Sequence, residues 1–307
     1  MTLLFEHENF LEHDMGTGHP EGPDRLRAIQ LALAEDEFAG LDRRAAPLGE
    51  TGQIALVHPR SYIDHIVATA PTRGRVQLDA DTAMSPGTLE AAQRAVGAVC
   101  AAVDGVMAGD AKNAFCAVRP PGHHAEPERS MGFCIFNSVA IGALHARAAH
   151  GLERIAVVDF DVHHGNGTQA AFWDDGDLFY GSTHQMPLYP GTGAASEMGR
   201  GNIHNFPLPP GAASVQFRAA FSDGLLPALD AFKPEFLLLS AGFDAHVNDP
   251  LAQLRLETED YAWATAELLA LAKRHCQGRV VSSLEGGYDL AALAAAAAAH
   301  VRALMAA

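Results

Sequence analysis

Short apolar runs closed by glycine, proline or polar clusters alternate with longer amphipathic stretches along almost the whole chain. Runs of that kind fit parallel strands covered on both faces, where neither side of the strand meets water. On this pattern Leu3–Phe5, Ile54–Val57, Asn113–Val118, Ile155–Val158 with Phe160, Leu178–Ser182, Ile203–Leu208, Phe236–Ser240 and Arg279–Leu284 are strands. Helices are expected from Pro23 to about Ala34 and over Pro59–Ala70, Gly87–Ala108, Asn137–Ala149, Thr168–Trp173, Ser214–Ala231 and Glu259–Cys276, with a last one beginning at Asp289. Pro86 and Gly109 bracket the long Ala-rich helix, Asp24 sits in a first turn, and Asn137 is placed to cap its helix. The steady alternation predicts one α/β domain over residues 1–307, a mainly parallel sheet with helices on both faces. No Ser/Gly linker, charge run or internal repeat divides it.

The polar residues that close the strands carry the chemistry. The strand at Ile155 runs into Asp159, Asp161, His163 and His164, and three other strands end in His123-His124, Asp244 and Glu285/Tyr288. In a parallel sheet these ends share one edge, so residues far apart in sequence converge. Asp161, His163 and Asp244 offer two hard oxygens and an imidazole, a three-ligand set with room left for a reactant at a divalent metal. His123 and His124 can then serve as base and acid, with Asp159 and Asn166 available to orient their rings. Tyr288, on a Gly-Gly turn, can reach a developing oxyanion. Together these groups suit hydrolysis of an amide or similar acyl bond by metal-activated water.

Composition narrows the setting. A formal charge of −16 argues against nonspecific nucleic-acid binding and weakly favours a cationic substrate. The sequence shows no apolar stretch long enough for a membrane span and no basic leader, so neither membrane attachment nor export is expected. Cys100, Cys116, Cys134 and Cys276 have no CxxC spacing and read as free thiols in a reducing, cytoplasmic compartment. Most of the sixteen histidines are read as packing, surface or loop-shaping groups: His58, His65, His145, His150, His275 and His300 on helices, and His7, His13 and His19 in the first loop. His164 reads as packing beside the ligand set.

RPPGHHA (Arg119–Ala125), DFDVHHGNGT (Asp159–Thr168), YPGTG (Tyr189–Gly193), AGFDAHVNDP (Ala241–Pro250) and EGGY (Glu285–Tyr288) together resemble the zinc-dependent histone deacetylase family. That family includes bacterial histone-deacetylase-like amidohydrolases and acetylpolyamine amidohydrolases. HPEGPDRLRAI (His19–Ile29) and DTAMSPGT (Asp81–Thr88) match it too, so the likeness spans nearly the whole chain. It implies the arginase/deacetylase fold with an eight-stranded sheet. It also implies Zn2+, or Fe2+ in some members, on Asp161, His163 and Asp244. A structural K+ is implied at Asp159 and Ser182, with backbone carbonyls around Asp161, His163 and Thr183. The resemblance makes His123, leaning on Asp159, the electrostatic stabiliser of the transition state. His124 becomes the base and then the acid, partnered by Asn166 where many relatives carry Asp. Tyr288 matches the tyrosine that holds the scissile carbonyl oxygen. Phe133, Gly132 and Tyr189 would wall an acyl-lysine channel, with Asp81 and Leu251 near its rim and Arg25 behind the metal.

The expected activity is therefore metal-dependent hydrolysis of an acylated amine, acetyl-lysine in peptides or proteins before acetylated polyamines. In the polyamine-selective relatives a glutamate follows the DP of the GFD motif, whereas Leu251 stands here. The acidic loops (Glu6, Glu8, Glu12, Asp14, Glu21, Asp79, Asp81) keep the polyamine alternative open as a cationic-substrate rim. A dinuclear ureohydrolase would need further aspartate ligands where His123-His124 and Tyr288 stand. A catalytically silent acyl-lysine-binding protein would not need the full set Asp161, His163, Asp244, His124 and Tyr288. A homo-oligomer is compatible with the sequence.

Overall fold

A computed structural model describes all residues from Met1 to Ala307. In chain order the strands are β1 (Thr2–Glu6), β2 (Asp42–Ala45), β3 (Val76–Gln77), β4 (Ala83–Met84), β5 (Asn113–Cys116), β6 (Ile155–Asp159), β7 (Leu178–Gln185), β8 (Ile203–Leu208), β9 (Phe236–Ala241) and β10 (Val280–Leu284). The helices are α1 (Asp24–Ala32), α2 (Thr51–Ile54), α3 (Arg60–Thr69), α4 (Thr88–Ala108), α5 (Ser138–His150), α6 (Asn166–Phe172), α7 (Ser214–Ala220), α8 (Leu226–Phe232), α9 (Thr258–His275) and α10 (Leu290–Met305). Eight strands form one sheet in the order β2-β1-β5-β10-β9-β6-β7-β8, and every neighbouring pair is parallel. The short β3-β4 hairpin stands apart and is antiparallel.

Burial explains the continuous apolar runs. Every residue of β5, β6, β7, β9 and β10 is buried, because α4 and α5 pack on one face while α9 and α10 pack on the other. The expected single α/β domain, with an eight-stranded parallel sheet under helices on both faces, is the one observed. Asn137 does cap α5, accepting from Ala140 N at 3.0 Å, and Gly109 ends α4 in a left-handed conformation.

Two expectations need correcting. Ile54–Val57 is not a strand; Ile54 ends α2 and the following residues turn. Glu50 starts that helix, with its N–H donating to Gln53 Oε1 at 2.8 Å, and four apolar residues alone could not separate a strand from a buried helical turn. The edge strand is β2 instead, reading DRRA. Its side chains alternate between half-buried and exposed and pair outward, Arg43 with Glu6 and Arg44 with Asp42 and Asp110, so no apolar pattern announces it. The expected helix Ser214–Ala231 is also interrupted: Phe221–Leu225 forms a π-helical segment between α7 and α8.

Candidate active site

Four strands adjacent in the sheet, β5, β10, β9 and β6, deliver the polar ends to one edge. Beyond β6, His163 Nδ1 lies 3.1 Å from Asp161 Oδ1 and 3.2 Å from Asp244 Oδ2, the latter arriving from beyond β9. The carboxylates are anchored by backbone donors: Gly286 N reaches Asp161 Oδ2 and Val162 N reaches Asp244 Oδ1, both at 2.8 Å. A Cβ at Gly286 would sit 2.1 Å from Asp244 Oδ2 and 2.6 Å from Asp161 Oδ2, so only glycine lets the β10 loop approach this cradle. Two carboxylates and one imidazole converging inside a glycine-lined wall fit a divalent cation of the zinc type.

The histidine pair stands beside the cradle, and each ring has its own partner. His123 Nδ1 is 3.0 Å from Asp159 Oδ2, and His124 Nδ1 is 2.8 Å from Asn166 Oδ1. Glu285 fixes the loop that carries them, its Oε2 accepting from Gly122 N at 2.7 Å and His123 N at 3.1 Å. Tyr180 adds its hydroxyl to Asp159 Oδ2 at 3.1 Å. Behind the Gly-Gly turn, buried Arg25 donates to the carbonyl oxygens of Gly287 (2.6 Å) and Glu285 (2.5 Å), and its guanidinium lies 4.9 Å from the Tyr288 ring.

The electrostatics separate the two histidines. Burial works against a charge on His123, but Asp159 and then Asp161 overcome it and push that ring up to about 10. His124 has no carboxylate partner, so burial, with the charges of His123 and His163, holds it well below the ordinary histidine range. His163 loses to burial but gains more from Asp161 and Asp244, which hold it up at about 10. Burial opposes ionisation of Asp161, yet His123 and His163 keep it below the usual carboxylate range; Asp159 and Asp244 are raised by burial. Burial also raises Glu285 to about 7 and keeps the Tyr288 phenol protonated.

A cavity of about 200 Å³ leads from the surface to this group. Asp81, Gly132, Phe133, Tyr189, Leu251 and Tyr288 line it together with His124 and His163, so each residue expected in the channel reaches it. Leu188 also lines it and carried no sequence signal beyond its place in the long loop. Phe133 takes a left-handed backbone (φ 68°), an uncommon state for a side chain that size, and stands 6.0 Å from the Tyr288 ring. On the other side the Tyr189 ring is 5.1 Å from that of His124.

The first-loop acids that keep a cationic-substrate rim open do not line the channel. Glu21 is fully buried, bonded to Arg119 at 2.6 Å and Arg25 at 3.1 Å and paired with His13 at 3.1 Å. Glu6 pairs with Arg43 beside the sheet edge, and of the acids only Asp81 lines the channel. Asp79 lies nearby but is bonded to Arg129 at 2.8 Å. Of the residues expected to hold potassium, Asp159 and Ser182 face each other across β6 and β7, Thr183 follows, and Asp161 and His163 lie just beyond β6. Ser182 Oγ bonds His184 Nδ1 at 2.9 Å. His58 and His300 are buried and hydrogen-bonded, as packing residues should be. A second His/Asp group, Asp104 with His145 and His150, lies toward the C-terminal ends of α4 and α5 and satisfies its own hydrogen bonds. Sequence reasoning missed Glu126, which accepts from Asn166 Nδ2 at 2.7 Å; its only signal was a carboxylate two residues after the histidine pair.

The chain is similar to known proteins over nearly its whole length. The family model for the histone deacetylase domain matches residues 19–304. The chain is 41% identical over 308 residues to a protein named histone deacetylase 14, chloroplastic, from Arabidopsis thaliana, covering 94% of this chain and 73% of that one. It is 39% identical over 278 residues to a histone deacetylase-like amidohydrolase of Pseudomonas aeruginosa, covering 89% and 73%. A crystal structure of the HDA15 HD domain superposes with a TM-score of 0.93 at 34% identity, covering all of this chain and 91% of that one.

Proposed function

The chain belongs to the histone deacetylase family and is a deacetylase-type hydrolase, and from that premise we propose that it removes acetyl groups from lysine side chains of peptides or proteins. The observation that carries this choice is the channel mouth, where Leu251 rather than an acid lies on the wall. A second ammonium group, as on a polyamine, would meet only Asp81, whose Oδ1 already accepts from Gly132 N at 3.0 Å and Thr82 Oγ1 at 2.8 Å. An acetylated polyamine is the second reading, favoured only by that residue and by the net charge.

In this reading Asp161, His163 and Asp244 would hold zinc, typical of the family, with ferrous iron as the alternative. Bound there, the metal would polarise the acyl carbonyl and acidify a water. His124, neutral and with Nδ1 occupied by Asn166, takes the proton of the attacking water on Nε2 and returns it to the leaving amine. His123, kept cationic by Asp159, stabilises the negative charge that builds on the reacting centre. Tyr288, its phenol kept protonated, donates a hydrogen bond to the acyl carbonyl oxygen as that charge builds there. Phe133 and Tyr189 hold the aliphatic part of the acyl-lysine and keep bulk water out. Potassium would sit among Asp159, Ser182 and the carbonyls around Asp161, His163 and Thr183, stiffening the β6–β7 ends. Four buried, unpaired thiols suit a reducing, cytoplasmic setting. Chelator-stripped protein titrated with zinc tests this. Deacetylation of an acetyl-lysine peptide should return in step with one zinc per chain, whereas a rate indifferent to zinc would refute the role given to the three ligands.

A further inference from the structure

His124 can act as a base only if its proton sits on Nδ1 and its Nε2 is free, and the residue that settles this stands one step further out. An ionised carboxylate only accepts hydrogen bonds, so the end of the Asn166 amide that faces Glu126 Oε1 at 2.7 Å must be the NH2. The amide oxygen is thereby turned toward His124 Nδ1 at 2.8 Å, and that nitrogen must donate. Two neutral acceptors, the His124 carbonyl oxygen and Met131 Sδ, face the same nitrogen at 3.4 Å and favour the same orientation, but the charged Glu126 contact is the shortest of the three. With the amide reversed, its NH2 would face Nδ1, the ring proton would move to Nε2, and the base would be lost.

We propose that Glu126 is a positioning residue for the proton transfer. It locks the orientation of Asn166 and so the tautomer of His124, and it supplies through the amide the negative charge that an aspartate at position 166 would supply directly. The inference rests on the deacylase reading of His124. Glu126 is well placed for this role, since it follows the histidine pair by two residues and is half-buried. Its backbone is fixed by reciprocal hydrogen bonds with Arg129, at 2.9 and 3.3 Å. It does not line the channel, so its effect should fall on kcat and leave KM nearly unchanged.

The test compares zinc-loaded wild type, Glu126→Ala, Glu126→Gln, Asn166→Asp and the double variant Glu126→Ala/Asn166→Asp on an acetyl-lysine peptide, with zinc content and thermal midpoint measured for each. Glu126→Ala should lower kcat about 10- to 100-fold at unchanged KM and zinc content. Glu126→Gln, which keeps an acceptor oxygen, should lose less. With aspartate at 166 the 2.7 Å contact becomes carboxylate against carboxylate, so removing Glu126 there should raise kcat by about 2- to 5-fold. A wild-type kcat in Glu126→Ala, or the same loss in both backgrounds, would overturn the proposal. The 15N shifts of His124 give a readout independent of turnover. They should report the Nδ1–H tautomer in wild type and a mixture in Glu126→Ala, and identical spectra would also overturn it. Absence of wild-type turnover on any acylated amine would instead sink the deacylase reading, with the tautomer still deciding the claim about Glu126.

Discussion

The floor and the mouth of the channel are made of different material. The floor consists of strand ends and the turns directly after them. Asp161, Asp244, His123 and His124 are all buried there, and each is held by a backbone or side-chain partner. The mouth consists of loops, with Tyr189 exposed, Asp81 and Leu251 half-buried, and Asp79 tied to Arg129 outside. A rigid sheet can hold reacting groups to within a few tenths of an ångström, whereas loops can change identity without disturbing it. The chemistry therefore belongs to the floor and the choice of substrate to the mouth.

Substitutions should separate the two. The largest effect belongs to the floor: Asp244→Ala takes away one of the three proposed ligands and leaves His163 with one carboxylate, and should abolish zinc binding and turnover together, as metal analysis beside a rate assay will show. Tyr288→Phe stands at the boundary. Zinc should stay bound while kcat falls about 100- to 1000-fold, the loss expected for one oxyanion donor; an unchanged rate would remove the phenol from the mechanism. Leu251→Glu belongs to the mouth. It should leave zinc content alone and raise the ratio of acetylputrescine to peptide turnover about 10-fold, since one charge at a channel wall changes discrimination rather than chemistry.

The smallest effect concerns the scaffold beneath both regions. Burial lowers His58 and His184 to about 4 and His164 and His300 to about 3, so all four stay neutral in the fold while unfolded imidazoles take up protons near pH 6.5. As pH falls below that value the unfolded chain binds more protons, and stability falls with it. Burial raises Asp249 and Glu285 to about 7, and these oppose the trend, because the folded state binds their protons first. With His19, His124 and His204 also lowered and Asp159 and Asp244 also raised, seven imidazoles stand against four carboxyls, which leaves a net loss. His123, held up near 10, is protonated in the fold throughout this range and adds little slope there. The thermal midpoint should drop between about pH 6.5 and 4.5, and His58→Gln should make that drop shallower.

The same division explains what was legible in the sequence. The buried strands carry their own signal, since both faces must be apolar, and their polar ends could be read directly as Asp159, Asp161, His163 and Asp244. Edge strand β2 escaped because its charged side chains are satisfied by neighbours unrelated in sequence, such as Arg44 with Asp110. Glu21 read as a rim acid and proved to be a buried counter-ion for Arg119 and Arg25, a pairing that only the folded chain brings about. Glu126 escaped for the opposite reason: its neighbours in sequence were noted, but its partner Asn166 lies forty residues on.

Whether the mouth selects acyl-lysine is decided most directly by kcat/KM of the zinc-loaded protein on an acetyl-lysine peptide and on acetylputrescine under the same conditions. A clear preference for the peptide is expected, because Leu251 leaves a second ammonium group without a counter-ion on that wall. A clear preference for acetylputrescine would overturn the assignment, and would return Asp81 and the acidic surface to the centre of the explanation.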